Sequence, residues 1–157
     1  MDWSQAVTLA RTLMDEHGLS HVPFVATKGL RTFGVCKLRA RTRFGVILES
    51  SVVSIGLSRP LTLINDESVV RNTILHEIAH AKAGPEAGHG YMWKSLAVSV
   101  GADPQAHCGE DTKTVPGPYQ ATCPCGLDHN MYRMPQRRKI CRRCKASLDF
   151  KRVENNQ

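Results

Sequence analysis

The feature that most constrains the fold is a set of three histidines and a glutamate within fourteen residues of a 157-residue chain. The first two histidines, His76 and His80, lie in the segment HEIAH. Four residues make about one helical turn, so both imidazoles of such a helix lie on the same face. Asn65 or Asp66 can cap this helix at its start, and the Gly-Pro pair at 84–85 ends it. The pattern predicts an amphipathic helix that presents two imidazoles side by side.

Two imidazoles placed in this way form a ligand pair for a metal ion, and neutral imidazole nitrogens bind zinc at ~2.0–2.1 Å. Glu77 stands beside the first histidine, where its carboxylate can accept a proton from a water molecule that the metal acidifies. This is the His-Glu-x-x-His spacing of zinc hydrolases. The alternative is a buried histidine pair in a polar network without a metal. The helix break and the third histidine beyond it favour the zinc site.

A catalytic zinc needs a third protein ligand and keeps its fourth position open. Two candidates follow the helix break. His89 is flanked by Gly88 and Gly90, which let the backbone come close and turn the imidazole inward. Glu86 lies at the offset of the third ligand in metzincins, but that pattern requires glycine where this chain has Ala83. His89 is therefore the favoured third ligand, and Glu86 is the alternative.

A second group of metal-ligating residues consists of four cysteines near the C-terminus: Cys123, Cys125, Cys141 and Cys144. The second pair has the Cys-x-x-Cys spacing of a zinc knuckle, and the gap between the pairs suits the hairpin of a zinc ribbon. The first pair is one residue short of that spacing, so His129 is an alternative ligand. Zinc would supply folding free energy that so small a module cannot obtain from its core. Two disulfides or free thiols are the alternatives, although metal ligands are more typical of a reducing compartment.

The formal net charge of +7 is concentrated in the same region, since residues 120–157 carry +6 and residues 1–119 only +1. A compact basic end favours a polyanionic partner, with nucleic acid preferred over a membrane. A solubilising tail is the alternative. Seven cations crowd around the cysteines and are candidate phosphate contacts: Arg133, Arg137, Arg138, Lys139, Arg142, Arg143 and Lys145.

The remaining elements predict an α+β fold. Residues 2–17 have helical spacing, as does YMWKSLAVSVG, whereas HVPFVAT, GVCKLRARTRFGVIL and SVVSIGLS are strand candidates. Cys36, in the second strand, is expected in the core. In the same strand four cations alternate with other residues and share one face, for which a solvated surface is favoured over a binding surface: Lys37, Arg39, Arg41 and Arg43.

Turn residues indicate a linker at 106–120, which separates a domain at 1–105 from the cysteine module at 121–152. The sequence has no signal-peptide pattern and no apolar run near the ~18–20 residues of a membrane span. The chain is therefore expected to be cytoplasmic and nucleoid-associated, or nuclear, and not secreted. A monomer without a membrane partner is expected.

With these motifs the chain resembles the SprT-like family, which includes the Spartan proteases that degrade proteins crosslinked to DNA. The resemblance covers roughly residues 4–150 and is carried by HEIAH, by GHG with Trp93 after it, by the strand VVSIGLSRPL and by the C-terminal CPC…CRRC pattern. It implies a zincin-like metalloprotease core, with an active-site helix beside a small sheet, and a C-terminal zinc ribbon. It also implies a peptide substrate added as a strand to the sheet edge near residues 52–57.

The same resemblance implies that His76, His80 and His89 bind the catalytic zinc and that Glu77 is the general base. We therefore predict a zinc metalloprotease with one catalytic and one structural zinc, acting on proteins bound or crosslinked to single- or double-stranded DNA. Two alternatives stay open at this point. One is a non-enzymatic nucleic-acid-binding zinc protein, and the other is a zinc hydrolase with a non-protein substrate.

Overall fold

The computed structural model describes residues 1–105 and 112–153. It divides the chain into two compact units, Met1–Thr114 and Val115–Gln157, called here the N-terminal and the C-terminal unit. Residues 106–111 of the predicted linker lie outside the described residues. The predicted domain and linker bounds stay a prediction.

The N-terminal unit combines four helices with one three-stranded sheet in its described residues, and the predicted α+β class is confirmed. Its elements in chain order are α1 (Trp3–Glu16), β1 (Phe24–Thr27), β2 (Gly34–Arg43), β3 (Val46–Ser58), α2 (Arg59–Ile64), α3 (Glu67–Ala83) and α4 (Tyr91–Val100).

The sheet has the strand order β1–β3–β2, so β3 is the central strand. β3 pairs antiparallel with β2 over ten registered pairs but pairs with β1 only at residues 55–58, in parallel. Phe44 and Gly45 join β2 to β3, and both have a positive φ, 50° and 79°. The prediction of one continuous strand through this point was wrong, because two successive left-handed residues reverse the chain.

Local signals in the sequence set the limits of the helices. α1 begins with a capping box. The Asp2 carboxylate accepts a hydrogen bond from the Gln5 backbone N–H, and the Gln5 side-chain oxygen accepts one from the Asp2 backbone N–H. α3 starts after Asp66, whose side chain makes no capping hydrogen bond, so the predicted cap by Asn65 or Asp66 was wrong. The helix ends before Gly84, whose φ is 79°. The predicted helix at residues 67–83 is therefore confirmed. α2 was not predicted; the Ser58 hydroxyl caps it by accepting from the Leu61 backbone N–H.

The core of the N-terminal unit lies between the sheet and the helices. Ile55 and Leu57 of β3 are fully buried, as are Ile74 and Ile78 of α3. Leu13 of α1 is equally inaccessible. Burial of large aliphatic side chains is the main favourable term in folding. The helix that carries HEIAH is thus fixed by its apolar face, which leaves its histidine face free for a site.

The C-terminal unit is built from short strands: β4 (Tyr119–Thr122), β5 (Asp128–Met131), β6 (Lys139–Ile140), β7 (Ser147–Leu148) and β8 (Lys151–Arg152). They form a three-stranded sheet of order β5–β4–β8 and the two-stranded pair β6–β7. Two hairpins, β4–β5 and β6–β7, each carry one cysteine pair at or near their turns. This arrangement brings the two halves of the cysteine pattern together.

In the part of the chain that the structure describes, no helix has the length and apolar character that crossing a membrane requires.

Candidate metal centres

The three histidines converge from α3 and from the loop that follows it. His76 and His80 lie one turn apart on α3, and Gly84 and Gly88 with φ of 79° and 48° allow the loop to return to the helix. The Nε2 atom of His89 lies 3.0 Å from Nε2 of His80 and 3.2 Å from Nε2 of His76, and the two helical nitrogens are 3.2 Å apart. The three nitrogens form a nearly equilateral triangle.

This triangle fits a tetrahedral zinc ion. Ligand nitrogens at ~2.0–2.1 Å from zinc in tetrahedral geometry are separated by about 3.3 Å. The observed separations are 3.0–3.2 Å. Within the described residues, the histidine triad is one of the groups whose ligand atoms all lie within 4.8 Å of one another. Glu86 is exposed and is not in the group. The geometry therefore favours His89 over Glu86 as the third ligand, and the assignment of all three stays a prediction.

Burial adapts two of these histidines to metal binding. It lowers the pKa of His76 and of His80 to about 4, and the charges of the neighbouring imidazoles act in the same direction. Both side chains are therefore neutral near pH 7. A neutral imidazole has the free lone pair that a metal ligand needs.

Trp93 of α4 packs against the whole triad. Its ring centroid lies 4.6 Å from that of His76, 5.2 Å from that of His80 and 4.5 Å from that of His89. The indole is fully buried, and its Nε1 has no hydrogen-bond partner within the described residues. One rigid aromatic side chain thus restricts the rotamers of all three imidazoles.

The Glu77 carboxylate lies between α3 and β2. Its side chain is 7% exposed, and burial raises its pKa to about 7, against the lowering effect of a hydrogen bond from the Cys36 backbone N–H. Gly34 of β2 packs against it so closely that a Cβ at position 34 would lie 2.5 Å from Glu77 Oε1. The position of this carboxylate therefore depends on a glycine in the facing strand.

The triad and Glu77 border an open cavity of about 520 Å³ in the N-terminal unit. One wall is the start of β2, including Cys36 and Leu38, and the other is α3 with the loop that carries His89. β2 pairs on one side only, with β3, so its other edge is free in the described residues. The expected edge at residues 52–57 is wrong for residues 55–57, which pair with β1 on one side and with β2 on the other, whereas residues 52–54 are not paired with β1. The edge beside the cavity is β2.

The four cysteines of the C-terminal unit form a second compact group. The Sγ atom of Cys123 lies 3.1 Å from that of Cys144 and 3.4 Å from that of Cys125, and the Sγ atoms of Cys125 and Cys141 are 3.8 Å apart. A disulfide would require ~2.05 Å, and the four are free thiols. Sulfurs at ~2.3 Å from a tetrahedral zinc lie about 3.8 Å apart. The group therefore fits zinc and includes Cys125.

Hydrogen bonds prepare Cys141 for a metal. A bond from the Cys144 backbone N–H lowers the pKa of the Cys141 thiol to about 6, and a side-chain bond with His129 acts in the same direction. A thiolate is the form that binds zinc. The sequence left His129 as an alternative ligand to one cysteine. In the structure it lies beside the cysteine group and hydrogen-bonds to Cys141.

The seven predicted phosphate contacts all lie in the C-terminal unit, and all seven are exposed. Arg138 donates through Nε to the Ser147 hydroxyl at 2.8 Å, which orients its guanidinium group. Lys139, Arg142 and Arg143 line a shallow cavity of about 510 Å³ with Cys141 and Phe150. Their contact with nucleic acid stays a prediction.

Sequence reasoning missed three residues of the first site. Gly34 and Cys36 reach it because β2 runs beside α3, and no spacing within β2 signals this. Cys36, expected in the core, is half-buried and lines the cavity instead. Trp93 was noted as an aromatic residue after GHG, but its contact with all three imidazoles depends on the packing of α4 on α3.

Comparison with known proteins agrees with this geometry. The model of the SprT-like family matches residues 6–113. The matched segment contains Glu77 and the three histidines, and it ends before the four cysteines. Comparisons with curated proteins and with solved structures gave no match.

Proposed function

Because the chain belongs to the SprT-like family, whose members are metallopeptidase-like, we propose that it is a DNA-associated zinc metallopeptidase that hydrolyses proteins bound or crosslinked to DNA. The observation that carries the peptidase proposal is the triangle of imidazole nitrogens 3.0–3.2 Å apart beside the buried Glu77 carboxylate in one open cleft. A zincin-like core is part of the proposal and is supported by the position of α3 beside a small sheet.

The ligands in this proposal are His76, His80 and His89, which leave one coordination position to solvent and substrate. Zinc bound there would polarise the scissile carbonyl and lower the pKa of a water molecule towards ~7. Glu77 accepts the proton of the attacking water and returns it to the leaving amine. Its burial between α3 and β2 holds the carboxylate in one place, so little reorganisation is needed during the reaction.

The free edge of β2 supports a mode of substrate binding. A peptide laid along this edge would add a strand to the sheet through backbone hydrogen bonds, without reading its sequence. Cys36 and Leu38 would border it, and α3 would form the opposite wall. Recognition through backbone groups suits an enzyme that must act on many different proteins.

Association with DNA is proposed for the C-terminal unit. The four cysteines would hold a second, structural zinc, and the seven cations would contact phosphates. Reversing the charges of Arg142 and Arg143 should make the negative slope of log K against log salt less steep. The expected decrease is about 0.9 for each phosphate that the protein no longer neutralises on duplex DNA, or about 0.7 on single strands. We further propose a cytoplasmic or nuclear location.

The test is cleavage of a DNA-binding protein by the purified full chain, with and without DNA, at matched zinc content. Glu77→Gln keeps the side-chain volume and removes the proton acceptor, so we expect cleavage to be abolished while zinc and DNA remain bound. Glu86→Gln is the matched control, since it makes the same change at an exposed site outside the triad. Equal cleavage by the Glu77→Gln variant would reject the assigned base. No cleavage by the native chain, with DNA binding retained, would favour a non-enzymatic binding protein.

A further inference from the structure

The hairpin of β2 and β3 extends well beyond the rest of its sheet. β1 pairs with β3 only at residues 55–58. Residues 37–54, called here the hairpin arm, therefore form a two-stranded ribbon, and its residues 39–51 are exposed apart from the half-buried Ile47. β3 has one extra residue opposite β2 at each of two places, Val53 and Leu48, as the shifts in register show. Such bulges increase the twist of a ribbon.

One face of the hairpin arm carries a row of cations. Lys37, Arg39, Arg41 and Arg43 are all exposed and alternate along β2, so they lie on the face opposite to Gly34, which packs on Glu77. Neighbours in the row are ~6.8 Å apart along the strand, and the row is ~20 Å long. In residues 1–105 and 112–153 none of the four forms an ion pair.

The tip of the arm carries an aromatic residue that the fold itself does not need. Phe44 is 92% exposed and has a φ of 50°, a conformation in which a bulky side chain is an outlier. Both turn residues have positive φ, a geometry that favours Asn-Gly. The Arg43 guanidinium lies 5.3 Å from the ring centroid. Neither core packing nor turn propensity explains a phenylalanine here, so a role in binding is the remaining physical reason.

We propose that the hairpin arm is a second nucleic-acid-binding surface, specific for single-stranded segments. The row of cations would follow the phosphates, and an unpaired base would stack on the free face of Phe44. An aromatic platform combined with a positive track is the usual solution for binding single strands without sequence preference. The row of cations and Phe44 do not line the catalytic cleft, and they are distinct from the cations of the C-terminal unit.

The shape of the arm favours a polymer over a membrane. Val46 and Leu48 are also exposed near the tip, and an apolar tip could insert into a bilayer. In that case only the tip would touch the surface, and Lys37 would stand up to ~20 Å away. Exposed charges are screened beyond ~8–10 Å at physiological ionic strength. The full length of the row is useful only to a polyanion that runs along it.

The experiment measures binding of labelled oligothymidylate and of a blunt duplex to the full chain by fluorescence anisotropy at several salt concentrations. Phe44→Asn removes the ring and gives the turn the residue that it prefers, so a loss of binding cannot come from a misfolded hairpin. We expect single-strand affinity to fall by about 5- to 150-fold, with a smaller change on the duplex. Phe44→Trp keeps a stacking ring and should retain the affinity.

The charges are tested by the double variant Arg39→Gln, Arg41→Gln. We expect the slope of log K against log salt on single strands to become less steep by about 1.4, since two phosphates contribute ~0.7 each. The matched control removes two exposed cations from α2 and α3, Arg59→Gln and Arg71→Gln, and should leave the slope unchanged.

Native affinity in Phe44→Asn, or equal slopes in the two double variants, would overturn the proposal. If the Arg142 and Arg143 variants alone weaken binding, the DNA association of the C-terminal unit stands and the arm has no part in it. The last measurement tests binding of the full chain to vesicles of anionic lipid. Vesicle binding that depends on Phe44, with oligonucleotide binding unaffected, would assign the tip to a membrane and reject the inference.

Discussion

Replacement of Gly34 by alanine tests how closely the facing strand positions the Glu77 carboxylate. The new Cβ would lie 2.5 Å from Glu77 Oε1, 2.7 Å from its Cγ and 2.8 Å from Cγ2 of Thr73. Ordinary contact begins at 3.4 Å, so the carboxylate must move by about 0.9 Å. Thr73 is one turn before Glu77 on the same helix, so α3 itself cannot easily yield.

The expected result is a loss of turnover without a loss of metal. A displacement near 1 Å at a reacting group costs about 10²-fold in rate. Overpacking of this kind lowers the free energy of unfolding by about 1–3 kcal/mol. The three atoms nearest to the new Cβ belong to Glu77 and Thr73 and not to the triad, so the zinc content should remain that of the native protein.

The assay compares kcat for cleavage of a DNA-bound protein, bound zinc and thermal unfolding in Gly34→Ala and Gly29→Ala. Gly29 lies in the loop before β2, and a Cβ there would meet its nearest atom, the Thr32 carbonyl oxygen, at an ordinary 3.6 Å. The control should therefore keep native turnover and stability. Native kcat in Gly34→Ala would refute the claim that β2 positions Glu77, and a loss of zinc would show that the strand supports the triad instead.

Three further predictions concern other parts of the molecule. His89→Ala should lower bound zinc by one equivalent per chain in elemental analysis, whereas Glu86→Ala should leave it unchanged; the reverse result would make Glu86 the third ligand. Burial first, and the Glu77 charge second, raise the pKa of the Cys36 thiol to about 12. At pH 8 iodoacetamide should therefore label Cys36 about a thousandfold more slowly in the metal-free native chain than after denaturation, and comparable rates by peptide mapping would contradict this. Gly117→Ala would place a Cβ 2.3 Å from the Met131 carbonyl and should lower the unfolding free energy of the C-terminal unit by about 1–3 kcal/mol, a shift that denaturant titration would reveal or disprove.

The parts of the fold that the sequence predicted are those encoded by neighbouring residues. The end of α3 follows from Gly84, and its histidine face follows from a four-residue spacing. The four cysteines come together because two short hairpins place them there. The candidate ligand His89 was favoured for its flanking glycines, which are local features as well.

The parts that the sequence did not predict depend on contacts between distant elements. Nothing near Gly34 in the sequence indicates that it faces Glu77, because that contact requires β2 to lie beside α3. The long strand candidate concealed a turn, since phenylalanine is a rare residue in the first position of a left-handed pair. The substrate edge was assigned to β3, which is the central strand. The order of strands is a property of the whole sheet and cannot be read from one segment of the sequence.

The packing of Trp93 beneath the triad has a practical consequence. The chain has two tryptophans, and the other, Trp3, stacks on Phe24 with centroids 6.2 Å apart. An indole in contact with all three imidazoles is an intrinsic optical sensor of what they hold. Its emission should be quenched when cobalt replaces zinc, so the loading of this centre can be followed in solution without any label.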